Sequence, residues 1–201
     1  MRLPSPRLCF FNLIFSLLIL LSSSQTTNLP DVPPGVFTVG TRLEIRTNVS
    51  TIWDVLTDFP AYASWNPFVR SAIVTTPFGV PTREQYPIEN HKLILRNQIP
   101  PLPFPVDSST PDNPLNTQFA FENITHIQPD KGRLAWEYIF EAVLQAERWQ
   151  AISDLGNGKV LYESREVFHG LAAETLKVWM GEGLQKGFEA QAEGLRRVLE
   201  G

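Results

Sequence analysis

Residues 52–68, Ile-Trp-Asp-Val-Leu-Thr-Asp-Phe-Pro-Ala-Tyr-Ala-Ser-Trp-Asn-Pro-Phe, constrain the fold more than any other stretch of this chain. Ile52, Val55, Leu56 and Phe59 recur at helical spacing, with Ser50 placed as an N-cap. Pro60 stops that helix, and Pro67 stops the next one after Trp65 and Asn66. The segment predicts a short amphipathic helix, a turn, a second short helix and a run into a strand.

The flanking patterns are extended. Phe37, Val39, Leu43 and Ile45 follow a period near two, interleaved with Thr38, Arg42, Glu44 and Arg46, which predicts a half-buried first strand. Phe68 to Thr76 is rich in β-formers and gives a second strand. Tyr86 to Gln98 holds a third, broken near Pro87. Thr117–Gln128, Arg133–Glu141, Leu144–Asp154 and Lys159–His169 give four more. Pro129-Asp130-Lys131-Gly132 and Gly156-Asn157-Gly158 form the tight turns between neighbours.

After Gly170 the period changes. Leu176, Met180, Leu184, Phe188, Leu195 and Leu199 recur at helical spacing and predict one long helix over residues 171–199. Gly181, Gly183, Gly187 and Gly194 lower its intrinsic propensity, so packing must hold it. Those small residues either let the helix lie close to its neighbours or leave room for a ligand.

Six prolines at positions 100, 101, 103, 105, 111 and 114 exclude regular structure from residues 99–116. This long loop reads either as a floppy insertion or as a lid.

At the start of the chain, Arg2 and Arg7 flank an apolar run from Leu8 to Leu21, followed by Ser22, Ser23 and Ser24. This is the pattern of a secretory signal peptide over residues 1–24. The run is short for a spanning helix, which favours cleavage over an uncleaved anchor. Removing it leaves 177 residues, with 15 basic against 21 acidic side chains and a net charge of −6. No basic run remains, which argues against nucleic acid and against an anionic membrane as a stable partner; membrane contact would be transient. Cys9 leaves with the signal, so the mature chain has neither disulfide nor thiol nucleophile. Asn48-Val49-Ser50 and Asn123-Ile124-Thr125 are glycosylation acceptor motifs in keeping with a secretory route. Residues 25–35, with Pro30, Pro33, Pro34 and Gly35, read as a disordered lead-in. Residues 36–201 form one domain.

The 52–68 segment resembles the START-like superfamily, also known as the polyketide-cyclase, SRPBCC or birch-pollen-allergen-like superfamily. Glu147-Arg148-Trp149, Gly156-Asn157-Gly158 and the run Glu163-Ser164-Arg165-Glu166-Val167-Phe168-His169-Gly170-Leu171 resemble that superfamily's last hairpin leading into its final helix. The resemblance covers roughly residues 36–199. It implies an α+β helix-grip fold, with two short helices after the first strand. A curved antiparallel sheet would wrap around the long C-terminal helix and enclose an apolar cavity. The Pro-rich segment 99–116 departs from the compact members and falls at their cavity mouth.

The chemistry is less marked. No paired-histidine metal motif, phosphate-cradling glycine loop or nucleophile elbow is present, and neither metal nor cofactor is expected. His91, His126 and His169 lie far apart in sequence. His126 reads either as a rim histidine or as a general base. Arg148 and Glu166 fall on the two strands of one hairpin; depending on register, Arg148 faces Glu166 or Glu147 faces Arg165. Pointing inward, Arg148 would seek a ligand carbonyl, enolate or carboxylate. Glu122 and Glu137 complete the acid/base candidates. Trp136 and Tyr138 share a face and are either core or cavity wall. Trp179, Met180 and Leu184 would be the helix's share of that wall.

A glycan on Asn123 would force it outward, with Phe119 and Phe121, and turn Glu122 and His126 inward by alternation. Either a bulge intervenes, or the motif is unused, or both residues line the cavity.

Three function classes fit. A carrier for a lipid, sterol, quinone or polyketide-like molecule needs only an apolar pocket with a few polar groups. A cyclase or dehydratase needs an inward acid or base as well. An interaction protein with a collapsed cavity needs neither.

Overall fold

The computed structural model describes residues 26–201. The expected signal peptide lies outside them. The chain runs β1 (Phe37–Arg46), α1 (Val49–Thr57), a 3₁₀ turn (Phe59–Ala61), α2 (Tyr62–Trp65), β2 (Val69–Thr75), β3 (Lys92–Gln98), β4 (Thr117–Gln128), β5 (Arg133–Phe140), β6 (Leu144–Gly156), β7 (Lys159–His169) and α3 (Ala173–Glu200). The seven strands form one antiparallel sheet in the order β1-β7-β6-β5-β4-β3-β2. It curls around α3 as a half-barrel, the helix-grip arrangement. β1 and β2 stand at opposite edges, so α1 and α2 carry the chain from one edge to the other.

The N-cap of α1 is Asn48 rather than Ser50: its Oδ1 accepts from the Thr51 N–H at 2.9 Å and from the Ser50 hydroxyl at 2.7 Å. The aromatic floor is laid by this helix pair. Phe59, Tyr62 and Trp65 are buried, with Phe59 edge-on to Trp136 at 6.3 Å between ring centroids. The Tyr62 hydroxyl donates to the Leu56 carbonyl at 2.6 Å.

The glycines of α3 serve close approach. A Cβ on Gly187 would stand 2.6 Å from the Phe68 ring, and one on Gly194 would stand 2.6 Å from the Trp65 carbonyl oxygen. Such distances exclude any side chain there without displacement. Leu184, Phe188 and Leu195 are buried beside them.

Three further expectations are corrected. β3 begins at Lys92, not near Tyr86. The Gln85 side chain occupies the place of a strand partner, its Oε1 accepting from Val74 N–H at 2.8 Å and its Nε2 donating to the Val74 carbonyl at 3.1 Å. The lead-in is not loose where it is described: Asn28 accepts from Arg133 Nε at 3.0 Å and donates to the Lys131 and Ile152 carbonyls at 2.9 Å, while Arg165 donates to the Pro30 carbonyl. The Pro-rich loop is pinned rather than floppy. Arg70, buried in β2, donates to the carbonyls of Asp107 and Thr110 at 3.0 Å and to Asp112 Oδ1 at 3.2 Å. Phe104 lies under the Arg197 guanidinium at 4.3 Å, and the loop's ends are closed by Ile99 N–H donating to the Asn116 carbonyl at 2.8 Å.

Candidate functional site

A pocket of about 210 Å³ lies between the concave face of the sheet and the N-terminal half of α3. Its apolar wall includes Leu95, Trp136, Tyr138, Leu144, Leu176, Met180 and Leu184. The polar groups that reach it are Asn97, Gln118, Glu122, Arg148 and Glu166. Sequence alternation places them: Trp136 and Tyr138 from β5, Arg148 from β6 and Glu166 from β7 project to one side of the sheet. The register puts Arg148 directly opposite Glu166 across the β6–β7 pair, whereas Arg165 faces Trp149.

Arg148 is 3% exposed and makes no ion pair within 4.0 Å among the described residues. Its Nε donates to the Ser164 hydroxyl at 3.2 Å and its Nη2 to Gln191 Oε1 at 3.0 Å. The guanidinium sits 4.1 Å above the Phe188 ring, with Trp136 and Phe68 at 5.6 and 5.7 Å. Three π-faces thus take part of the place of a counter-ion. Behind it, Tyr162 donates to Gln150 Oε1 at 2.6 Å, and Gln191 Nε2 donates to the same oxygen at 3.0 Å.

The two pocket carboxyls are held toward their neutral forms. Burial pushes Glu166 up to about 7, with the nearby Arg148 charge opposing. Burial also holds Glu122 well above the usual carboxylate range, aided by Glu166 and opposed by Arg148. Taking a carboxylate out of water disfavours its charge more than one partly delocalised guanidinium restores it.

Of the residues anticipated for this site, Trp136, Tyr138, Arg148, Met180, Leu184, Glu122 and Glu166 come together in the pocket. Trp179 does not. It is 82% exposed, since one residue before Met180 it is turned about 100° from the inward stripe. His126 is also outside. β4 carries a bulge between Ile124 and His126, which breaks the alternation that keeps Glu122 and Ile124 buried. The His126 ring stacks on Trp149 at 4.8 Å, on the face of β6 opposite Arg148. Glu137 alternates away from Trp136 and Tyr138 and does not line the pocket. Asn48 is exposed and Asn123 half-buried with its Oδ1 3.4 Å from Lys92 Nζ, while Phe119 and Phe121 are exposed beside it.

Asn97, Gln118, Leu144 and Leu176 were not anticipated. Gln118 was reachable by parity, lying four residues before the inward Glu122 on an unbroken run of β4.

No protein-family model and no curated protein matches the chain. Solved structures do. A hypothetical protein of Helicobacter pylori superposes with a TM-score of 0.64 at 12% identity, over 87% of this chain and 98% of that one. A START superfamily protein of Mycobacterium smegmatis superposes at 0.52 with 18% identity, over 81% and 97%. The major latex-like protein 151 of Panax ginseng superposes at 0.57 with 9% identity, over 81% and 97%. At such identities the likeness concerns architecture, and with the sheet order and gripped helix it establishes that this chain has the START-like, SRPBCC-type helix-grip fold.

Proposed function

We propose that this protein binds an apolar small molecule in the pocket between the sheet and α3, as a carrier or sequestering protein. The observation that carries this reading is the pocket itself: aliphatic and aromatic side chains form most of its wall, with a few convergent polar groups among them. Its 210 Å³ lies somewhat below the ~300 Å³ where pockets for drug-sized ligands begin. A compact lipid-like, sterol-like, quinone-like or polyketide-like body, or one end of a longer one, suits it. The presence of the same architecture in a START superfamily protein supports the reading. The protein acts in the secretory pathway or outside the cell, directed there by residues 1–24, with Asn48 and Asn123 as glycan acceptors and at most passing contact with membranes.

A second reading has one specific observation in its favour. Glu166, brought to about 7 beside Arg148, is poised to exchange a proton near neutral pH. A cyclase or dehydratase acting on the bound molecule would use such a group.

Leu184→Trp tests the binding reading. The larger ring fills the space, so affinity for an apolar fluorescent dye should fall at least about tenfold. Overpacking should cost only about 1–3 kcal/mol of stability. Unchanged dye affinity in a folded variant would place the ligand elsewhere.

A further inference from the structure

Arg148 brings a positive charge into the pocket wall and meets no opposite charge there. Glu166 stands across from it in register, yet no carboxylate comes within 4.0 Å of the guanidinium among the described residues. The side chain turns instead to Ser164 and Gln191, which engage its Nε and Nη2. Its Nη1 makes no hydrogen bond among the described residues, and unlike the sealed Nε of Arg165 it keeps accessible surface. The space that Arg148 lines is the pocket. A buried cation is stabilised when its donors are used and its charge is met, and aromatic faces meet that charge only in part. The sealed oxygens of the same wall, Glu122 Oε2 and Asn97 Oδ1, have no surface on this space and take no part.

The groups packed around the guanidinium do not cancel its charge below neutral pH. The titratable ones are Glu122 from β4, Glu166 and Tyr162 from β7, and Tyr62 from α2. Burial holds all four toward their uncharged forms. α3 faces Arg148 with Gln191 and Phe188, and β5 faces it with Trp136. Different ligand groups answer this arrangement differently. A hydrocarbon would leave Nη1 unused. A neutral carbonyl or hydroxyl would use Nη1 but leave the charge unmet, and an ammonium would be repelled. A phosphate would bring up to two charges to one cation. A carboxylate brings one charge and an acceptor together.

We propose that the pocket selects apolar acids, whose carboxylate accepts from Arg148 Nη1 while the hydrocarbon body lies along the aliphatic wall of Leu95, Leu144, Leu176 and Met180. The inference rests on the binding reading above and adds the ligand's chemical class. Glu166 sets the pH range of this selection. Uncharged, it leaves Arg148 free to meet the ligand's carboxylate. Once ionised, above about pH 7, it supplies a negative charge of its own and opposes a second one.

The test uses two probes of one shape, 2-naphthoate and the neutral 2-naphthamide, each titrated into the protein by calorimetry at pH 5.5 and 8.5. Naphthoate is ionised at both. At pH 5.5 it should bind at least about tenfold more tightly than the amide, the worth of one hydrogen bond between opposite charges. At pH 8.5 that advantage should shrink at least about fivefold, as Glu166 ionises beside Arg148. In Arg148→Met at pH 5.5 the advantage should vanish. In Glu166→Gln it should persist at pH 8.5. Binding of the amide as tight as that of naphthoate to the parent at pH 5.5 would overturn the acid assignment and leave the pocket intact. An undiminished advantage in Arg148→Met would overturn it too, since the carboxylate would then be met elsewhere. An advantage in the parent that does not shrink with pH, or one that shrinks equally in Glu166→Gln, would overturn the part given to Glu166. If neither probe binds, the pocket reading itself falls, and this inference with it.

Discussion

Arg70 and Arg148 are buried to nearly the same extent, at 2% and 3% exposure, yet they are satisfied in opposite ways. Arg70 makes five hydrogen bonds: to the carbonyls of Ala63, Asn66, Asp107 and Thr110 and to Asp112 Oδ1, at 2.6 to 3.2 Å. Arg148 makes two, both to neutral side chains, and rests on aromatic faces. A buried cation is tolerated when its donors are used. Arg70 meets that condition and turns it into structure, binding α2 and the Pro-rich loop to one strand. Arg148 meets it only in part, and what it leaves unused faces a pocket.

The comparison breaks most readily at Arg70. Arg70→Ala removes the shared donor of four carbonyls and leaves Asp112 with Arg96 alone, 2.8 Å away. Losing one member of a buried, charged hydrogen-bond network costs about 3–5 kcal/mol. Urea unfolding should show that loss, and limited proteolysis should cut the variant within residues 99–116 under conditions that spare the parent. A cost below about 1 kcal/mol would mean that the loop is held by its apolar contacts instead, such as buried Leu102.

That clamp was invisible in the sequence, and the reason is physical. Four of its five acceptors are main-chain carbonyls, which every residue carries, so no residue pattern announces them. The proline density of the loop showed what it could not be, and nothing about what held it. The strands and α3 were legible because period and turn chemistry act locally: Thr117–Gln128 and Lys159–His169 fall where alternation put them. The site was legible where parity ran unbroken from a turn, as from Trp136 to Tyr138. It failed at His126, because one extra residue between Ile124 and His126 reverses the facing of the rest of the strand and leaves no mark in composition. Asn97 was missed because β3 was expected to begin near Tyr86 and begins at Lys92, and parity cannot be counted along a strand whose start is misplaced.

The pocket carboxyls give the second way to sharpen the contrast, through pH. Glu166 titrates at about 7 in the folded state against its ordinary 4.5. Between those values the folded form holds a proton that the unfolded form has released. Stability contributed by this group is therefore full below pH 4.5, falls as pH rises toward 7, and stays lowered above. Glu166→Gln should abolish that component, so the stability difference between variant and parent should move in the variant's favour by about 1–3 kcal/mol from pH 4.5 to 8. Chemical denaturation across that range reads it directly. A difference that does not change with pH would mean that Glu166 is solvated as freely in the fold as outside it.

The smallest effect on stability is expected at Arg148, and it is the most informative. Arg148→Met keeps the aliphatic volume against Phe188 and Trp136, removes a buried charge, and leaves Ser164 and Gln191 each short of one donor. At pH 5.5, where Glu166 is mostly protonated and burial favours the neutral form of Glu122, these terms nearly cancel. The net change should stay within about 1 kcal/mol, as when buried ions are replaced by apolar residues. At pH 8.5 the carboxyls lose the positive charge that lowers their pKa values, so the same variant should be measurably less stable than the parent. Arg70→Ala should show no such pH dependence, because its acceptors are mainly carbonyls that do not titrate. If Arg148→Met costs as much as Arg70→Ala at pH 5.5, then Arg148 is a structural clamp like its counterpart, and its unused donor has no purpose in the pocket. If it is nearly neutral there yet weakens binding of an apolar dye in the pocket, the fold is keeping a cation that its own stability does not require.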